Sequence, residues 1–227
     1  METTASQTRQ GLPDYTRTEE LFNMITHIVG GGLGVATLLT CVIVAAWYHN
    51  IWGVISGCVY GATVILLFTA SSIYHGLTAE APKRVFRILD HCTIFLLIAG
   101  TYTPILLNHF RTVYPRDAWV MLVIIWIIAV LGCVLNAINM EKFKAASLVC
   151  YLGMGWASLV RLPQLLAVLG VGFFVLTLLG GIVYSAGVIF YALGSKKRFM
   201  HSTFHIFVDV AALLHALAIV IFLMPQS

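Results

Sequence analysis

Charge is scarce in this sequence. Lys, Arg, Asp and Glu make up 10% of its 227 residues against 60% hydrophobic, and the mean hydropathy is +0.94. Soluble globular domains carry about a quarter charged residues, so the composition excludes that class and predicts an integral membrane protein. Cysteine is also sparse. The five (Cys41, Cys58, Cys92, Cys133 and Cys150) are odd in number, lie in or beside apolar runs and show no CxxC spacing. That excludes a disulfide framework and a zinc knuckle and leaves them as small packing residues. No GxxxxGK[ST] stretch occurs, so Gly30, Gly31, Gly32 and Gly34, with Gly180 and Gly181, are not a phosphate loop. They are expected to let membrane helices approach closely. The first 20 residues, METTASQTRQGLPDYTRTEE, lack the short apolar core of a secretory signal and are expected to persist as a polar tail. Residues 21–227 then form a single transmembrane domain.

What is abundant is long apolar runs. A bilayer core about 30 Å thick needs about 20 apolar residues of helix. On that ruler the chain divides into seven spans, roughly 22–48, 52–77, 88–108, 118–139, 145–161, 165–193 and 203–224. The fold class expected is therefore all-α, a seven-helix bundle, because backbone groups in lipid must pair within the segment. The fifth span is short and the sixth long, which signals tilt or a displaced boundary. Pro104 in TYTPILL is expected to kink or end the third helix.

Ten of the thirteen basic residues fall on one side of these spans: Arg9 and Arg17, Lys83, Arg84 and Arg87, Lys142 and Lys144, and Lys196, Lys197 and Arg198. Only Arg111, Arg116 and Arg161 fall on the other. The positive-inside rule then places the N-terminus in the cytoplasm and the C-terminus outside. Trp47, Trp52, Trp119 and Tyr114 fall near outer ends, as an aromatic belt would. Orienting the chain is sufficient use for the net charge of +4, and no nucleic-acid partner is expected.

This topology brings rare polar residues to one leaflet. Glu20, Asn23 and His27 open the first helix, Ser71 and His75 close the second, Asp90 and His91 open the third, and His201 and His205 open the seventh. Residues i and i+4 share a helix face, so the two histidines of HSTFH can hold one ion. By itself HxxxH fits an interfacial pair equally well. A zinc site open for catalysis commonly has three protein nitrogens and a water, and His75, His201 and His205 supply three. Imidazole suits zinc, copper, iron or nickel; zinc is the default expectation. Asp90 or Ser71 could orient a ligand histidine or hydrogen-bond the water. His91, about 100° around the helix from Asp90, is expected to make a helix contact instead. His215 is expected to be structural, and His49 and His109 interfacial.

Glu20-x2-Asn23-x3-His27, Ser71-x3-His75 with Asp90 beyond it, and His201-x3-His205 resemble the three-motif signature of the progestin and adipoQ receptor family, whose bacterial branch is called hemolysin III. ILDHCTIFLLIAGTYTPILL, YLGMGWASLV and GGIVYSAGVIFYALG resemble the bacterial members in particular. The resemblance implies a seven-helix bundle with Zn2+ near the cytoplasmic side of a bacterial inner membrane, held by His75, His201 and His205, with Asp90 contacting a water on the metal. It gives Glu20, Asn23 and His27 a supporting or structural part. Asp209, four residues beyond His205, departs from the family pattern. It can face the metal cavity or pair with His215 or Arg161.

Three functions stay open on this reading, all within membrane homeostasis or the membrane itself. One is a zinc-dependent hydrolase of a lipid amide or ester, since the family is grouped with alkaline ceramidases that share the Ser, Asp and three-His set. The second is a non-enzymatic regulator or receptor of membrane lipid in which zinc clasps helices together. The third, a pore-forming cytolysin, is disfavoured by uniformly apolar spans.

Overall fold

The computed structural model describes residues 12–194 and 197–225. Arg9 and Lys196, counted above for orientation, lie outside the described residues. The protein is all-helical, with no β-strand among the described residues. Helix α1 (Arg17–Trp47) is followed by α2 (Ile51–Gly76) and α3 (Glu80–Ile105). A π-helical turn (Leu106–Phe110) and the one-turn α4 (Arg111–Val113) lead into α5 (Pro115–Gly155). A 3-10 turn (Ala157–Arg161), α6 (Leu162–Leu193) and α7 (Met200–Phe222) complete the chain.

Among the described residues, five stretches are long and apolar enough to cross a membrane, and Pro115–Leu193, 79 residues, counts as one of them. The sequence divides that stretch into three spans. Backbone breaks explain the difference: Asn139 leaves helical geometry (φ −162°, ψ 90°) inside α5, and Gly170 does so inside α6 (φ 81°, ψ 168°). The Asn139 carboxamide accepts from Lys142 N at 3.0 Å, capping the second half of α5. Across that break the Ser147 hydroxyl donates to Asn136 Oδ1 at 2.7 Å. Eleven residues of straight helix would separate these groups by about 16 Å, so the chain doubles back here. It folds back again between Trp156 and Ser185, where Trp156 Nε1–H donates to Ser185 Oγ at 3.1 Å across an interval that holds both the 3-10 turn and Gly170. The added length of the expected sixth span is the piece of α6 that precedes Gly170.

The bundle is apolar outside and keeps its buried polar residues inside an otherwise apolar core, as a lipid solvent demands. On α1, Ile28, Val29 and Ile43 are exposed while Asn23, His27 and Thr37 are buried. Close packing at glycine is selective. A Cβ on Gly30 would meet the Phe68 ring at 2.5 Å, and one on Gly34 would meet Ile65 Cγ1 at 3.0 Å, whereas Gly32 has no neighbour within 4 Å and Gly31 only one at 4.0 Å. The expectation of close approach thus holds for Gly30 and Gly34 and fails for Gly31 and Gly32, which lie on other sides of the helix. All five cysteines are free; Cys92 and Cys133 tie α3 to α5 through thiol-to-carbonyl contacts of 3.6 and 3.4 Å.

Pro104 ends regular helix as expected, because it has no N–H and crowds the preceding turn. The π-helical turn follows directly, and within it Asn108 (φ −83°, ψ −125°) leaves helical geometry. Its side-chain amide repairs the damage by donating to Pro104 O (2.8 Å) and Ser56 Oγ (3.0 Å), and its oxygen accepts from Asn50 Nδ2 at 2.9 Å. Asn50 caps α2 through Gly53 N and reaches Leu223 O at 3.3 Å. This knot fastens one end of the bundle. At the same end the Arg111 guanidinium lies 4.3 Å above the Trp52 ring, and Arg161 pairs with Asp117 at 3.3 Å.

The opposite end gathers the basic loops. Arg87 pairs with Glu141 at 2.8 Å, Lys144 sits over Tyr191, Lys83 meets Glu20, and Glu19 Oε1 accepts from Phe199 N at 2.7 Å. Loops grouped by charge in the sequence are therefore grouped in space.

Candidate metal centre

Three helices build the centre at that end. Thr16 caps α1 in a capping box with Glu19, a motif in which each side chain satisfies the other's backbone N–H. Glu20, Asn23 and His27 follow at i, i+3 and i+7, one face of the helix, turned toward α2 and α7. His75 lies in the last turn of α2 and is 3% exposed. His201 and His205 lie one turn apart in the first two turns of α7, which starts after Phe199 in left-handed geometry (φ 59°).

His75, His201 and His205 can each present a ring nitrogen such that all three lie within 4.8 Å of one another, a group that could hold a metal ion. The Nε2 atoms of His201 and His205 face each other at 3.1 Å. Tetrahedral coordination at Zn–N of about 2.0–2.1 Å implies ligand nitrogens about 3.3 Å apart, close to that spacing. His75 Nδ1–H donates to Glu20 Oε2 at 2.6 Å, and its other nitrogen, Nε2, is buried with no hydrogen-bond partner. An orphaned buried acceptor is costly, and here a cation would relieve the cost. The donor set fits the metal that the family resemblance implies.

The remaining expected residues divide into those in contact and those nearby. Asn23 lies within 3.5 Å of His75 Nδ1 through its amide nitrogen, and its oxygen accepts from Ser202 Oγ at 2.6 Å, joining α1 to α7. His27 stacks on His205 (ring centroids 3.7 Å, 18°) and meets Phe68 edge-on, with neither of its nitrogens hydrogen-bonded. Ser71, a turn before His75, is buried with an unpartnered hydroxyl. Asp90 is not in the convergent group among the described residues; its carboxylate lies 3.9 Å from His91 Nδ1. Tyr191 links the two places, its ring 6.1 Å from His201 and 6.3 Å from His91.

Asp209 makes neither expected pair. Arg161 turns to Asp117, and His215 Nε2–H donates to Thr177 O at 3.1 Å, the structural contact anticipated for it. Asp209 Oδ1 is left without a partner, against Gly30. His91 makes the expected helix contact, donating from Nδ1 to Arg87 O at 2.9 Å and accepting from the Tyr191 hydroxyl at 3.3 Å.

Two residues were missed in the sequence. Tyr15, in the polar tail, stacks on His201 (4.9 Å, 15°) and lies 6.0 Å from the His75 ring. Burial there pushes its phenol above the ordinary range, so the group beside the centre is neutral. Lys83 closes over Glu20 at 2.8 Å. Neither carries a spacing signal, since one precedes the first helix and the other looks like any loop lysine.

A buried three-histidine group inside a bundle of membrane-spanning helices defines a multipass membrane protein with a site able to hold a metal. The family model described as Haemolysin-III related matches residues 15–216. The chain is 37% identical over 194 residues to Hemolysin-3 homolog of Bacillus subtilis (strain 168), covering 86% of this chain and 89% of that protein. It is 36% identical over 209 residues to Hemolysin-3 of Bacillus cereus, covering 92% and 94%. It is also 27% identical over 174 residues to the human Monocyte to macrophage differentiation factor, covering 74% and 70%. The chain belongs to the haemolysin-III-related family, as the motif resemblance led us to expect.

Proposed function

We propose that the protein is a zinc-binding, seven-pass protein of the bacterial cytoplasmic membrane, with its N-terminus and metal centre on the cytoplasmic side, that serves membrane homeostasis by hydrolysing a lipid amide or ester. One observation carries the lipid part. A cavity of about 210 Å³, lined by apolar side chains such as Ile94, Ile98, Trp156 and Val208, runs between α3, α5, α6 and α7. Its wall includes Tyr191 and Phe204, whose rings stand 6.1 and 5.7 Å from that of His201. An acyl chain in the cavity would thus end beside the centre.

His75, His201 and His205 would hold the ion as neutral ligands. Zinc, when bound, supplies a Lewis acid for the carbonyl and lowers the pKa of water. Asp90 serves as the proton acceptor, and the free Ser71 hydroxyl orients water or donates to the developing oxyanion. Tyr15 covers the aqueous face of His201. A purely structural clasp needs a fourth protein ligand, and the convergence of three histidines among the described residues favours an open site.

The test is metal analysis with lipid turnover. Purified protein is expected to carry one equivalent of zinc, lost in His205→Ala, and to release fatty acid from ceramide, acyl-amide or phospholipid vesicles only when Asp90 and the zinc are intact. Full zinc loading with no release from any of these, beside an active ceramidase control, would overturn the hydrolase.

A further inference from the structure

We propose that Lys83 is a positioning residue for the metal centre and acts on His75 through Glu20. This deepens the zinc reading above and rests on it. Lys83 lies in the first turn of α3 and is 8% exposed. An ammonium has three N–H donors, and all three are used: Glu20 Oε1 at 2.8 Å, Leu77 O at 3.0 Å and Tyr74 O at 3.2 Å. Both carbonyls come from the end of α2, where unpaired C=O groups and the helix dipole favour a cation. Tyr74 is the chain neighbour of His75. The lysine therefore grips the turn that carries His75 from behind while holding the carboxylate that grips its ring.

Glu20 has one oxygen on each partner. With Oε1 held by Lys83, Oε2 stands 2.6 Å from His75 Nδ1, which fixes the proton on Nδ1 and leaves the Nε2 lone pair aimed into the buried centre. A ligand histidine held this way binds metal better than a free one, and loss of such a partner typically costs 10–100-fold in affinity. Lys83 also offsets the charge of Glu20, so its contribution is orientation rather than added basicity.

The competing role is a plain C-cap for α2, which would alter stability without touching metal affinity. A double-mutant cycle separates them. Zinc affinity is measured by competition with a chromophoric chelator at one pH, with thermal stability of the metal-free protein alongside. Lys83→Met and Glu20→Gln are each expected to weaken zinc binding by about 10-fold or more. The double variant should be no weaker than Glu20→Gln alone, and Lys83→Arg should recover most of the loss. Lys83→Gln, which keeps donors for the carbonyls but loses the charge, replaces Lys83→Met if that variant does not fold. Zinc affinity within about twofold of wild type in Lys83→Met or Lys83→Gln, or losses that simply add in the double variant, the behaviour of independent sites, would overturn the proposal. Wild-type protein that binds no zinc would instead overturn the zinc reading itself.

Discussion

At the scale of single residues, the two ends of the bundle solve the same problem differently. Buried polar groups in lipid must find partners. At one end Asn108 satisfies its amide within the protein, through Asn50, Ser56 and Pro104 O. At the other, His75 Nε2 and the Ser71 hydroxyl are left unsatisfied. The unsatisfied groups beside the three histidines make the second end the candidate site. Asn108→Leu should lower stability by about 1–3 kcal/mol for each buried group it strands, read as a fall in melting temperature in detergent, and should leave zinc content unchanged. His75→Ala should do the reverse, abolishing zinc binding with a smaller effect on the melting of the metal-free protein. The histidines of the site were legible in the sequence because i, i+4 spacing and the charge count place them together. Lys83 and Tyr15 were not, because a lysine in a basic loop and a tyrosine in a polar tail carry no periodicity that marks them as buried.

At the scale of the element, α1 is the backbone of the site. Its capping box starts the helix at Arg17, so Glu20 sits a full turn inside it and Asn23 and His27 share its face. Farther along, the glycine run looked uniform in the sequence, but four glycines within five positions point all round a helix and only contact with α2 distinguishes them. Gly32→Ala should therefore be neutral or stabilise the protein by up to about 1 kcal/mol through helix propensity. Gly30→Ala presses on Phe68 and on Asp209 Oδ1 and should destabilise by about 1–3 kcal/mol. Comparing the two melting temperatures checks the pair. The segment before α1 is expected to matter for access. Tyr15 covers His201, and removing an aromatic stack of about 0.5–1.5 kcal/mol in Tyr15→Ala should speed zinc extraction by a chelator about two- to tenfold, measured by stopped flow against Tyr15→Phe.

At the scale of the whole molecule, the point at issue is how many times the chain crosses. Apolar length identified α1, α2, α3 and α7 directly, whereas Pro115–Leu193 counts as one apolar stretch of 79 residues, and it is polar interruptions such as NMEKFK at 139–144 that divide it in the sequence. The seven passes proposed above need two reversals within this stretch, one at the Asn139 break and one between Trp156 and Ser185. Seven passes would put the termini on opposite sides, and under the positive-inside rule the basic residues Lys83, Arg87, Lys142, Lys144 and Lys197 at the histidine end would face the cytoplasm, as proposed. Alkaline phosphatase fused after the last residue should therefore be active, while the same enzyme fused after Lys144 should be inactive and a fluorescent protein there bright. Inactive phosphatase at the C-terminus with an N-terminus shown to be cytoplasmic would mean an even number of passes. The segment to lose is then the one between Asn139 and Arg161, whose 16 residues of α-helix beyond the break give about 24 Å, short of the roughly 30 Å hydrocarbon core unless the 3-10 turn adds its length. Tyr102 OH accepts from Ser158 N and donates to Gly155 O, which anchors that turn to α3 close to Pro104 rather than at the histidine end and supports the proposed crossing of this segment.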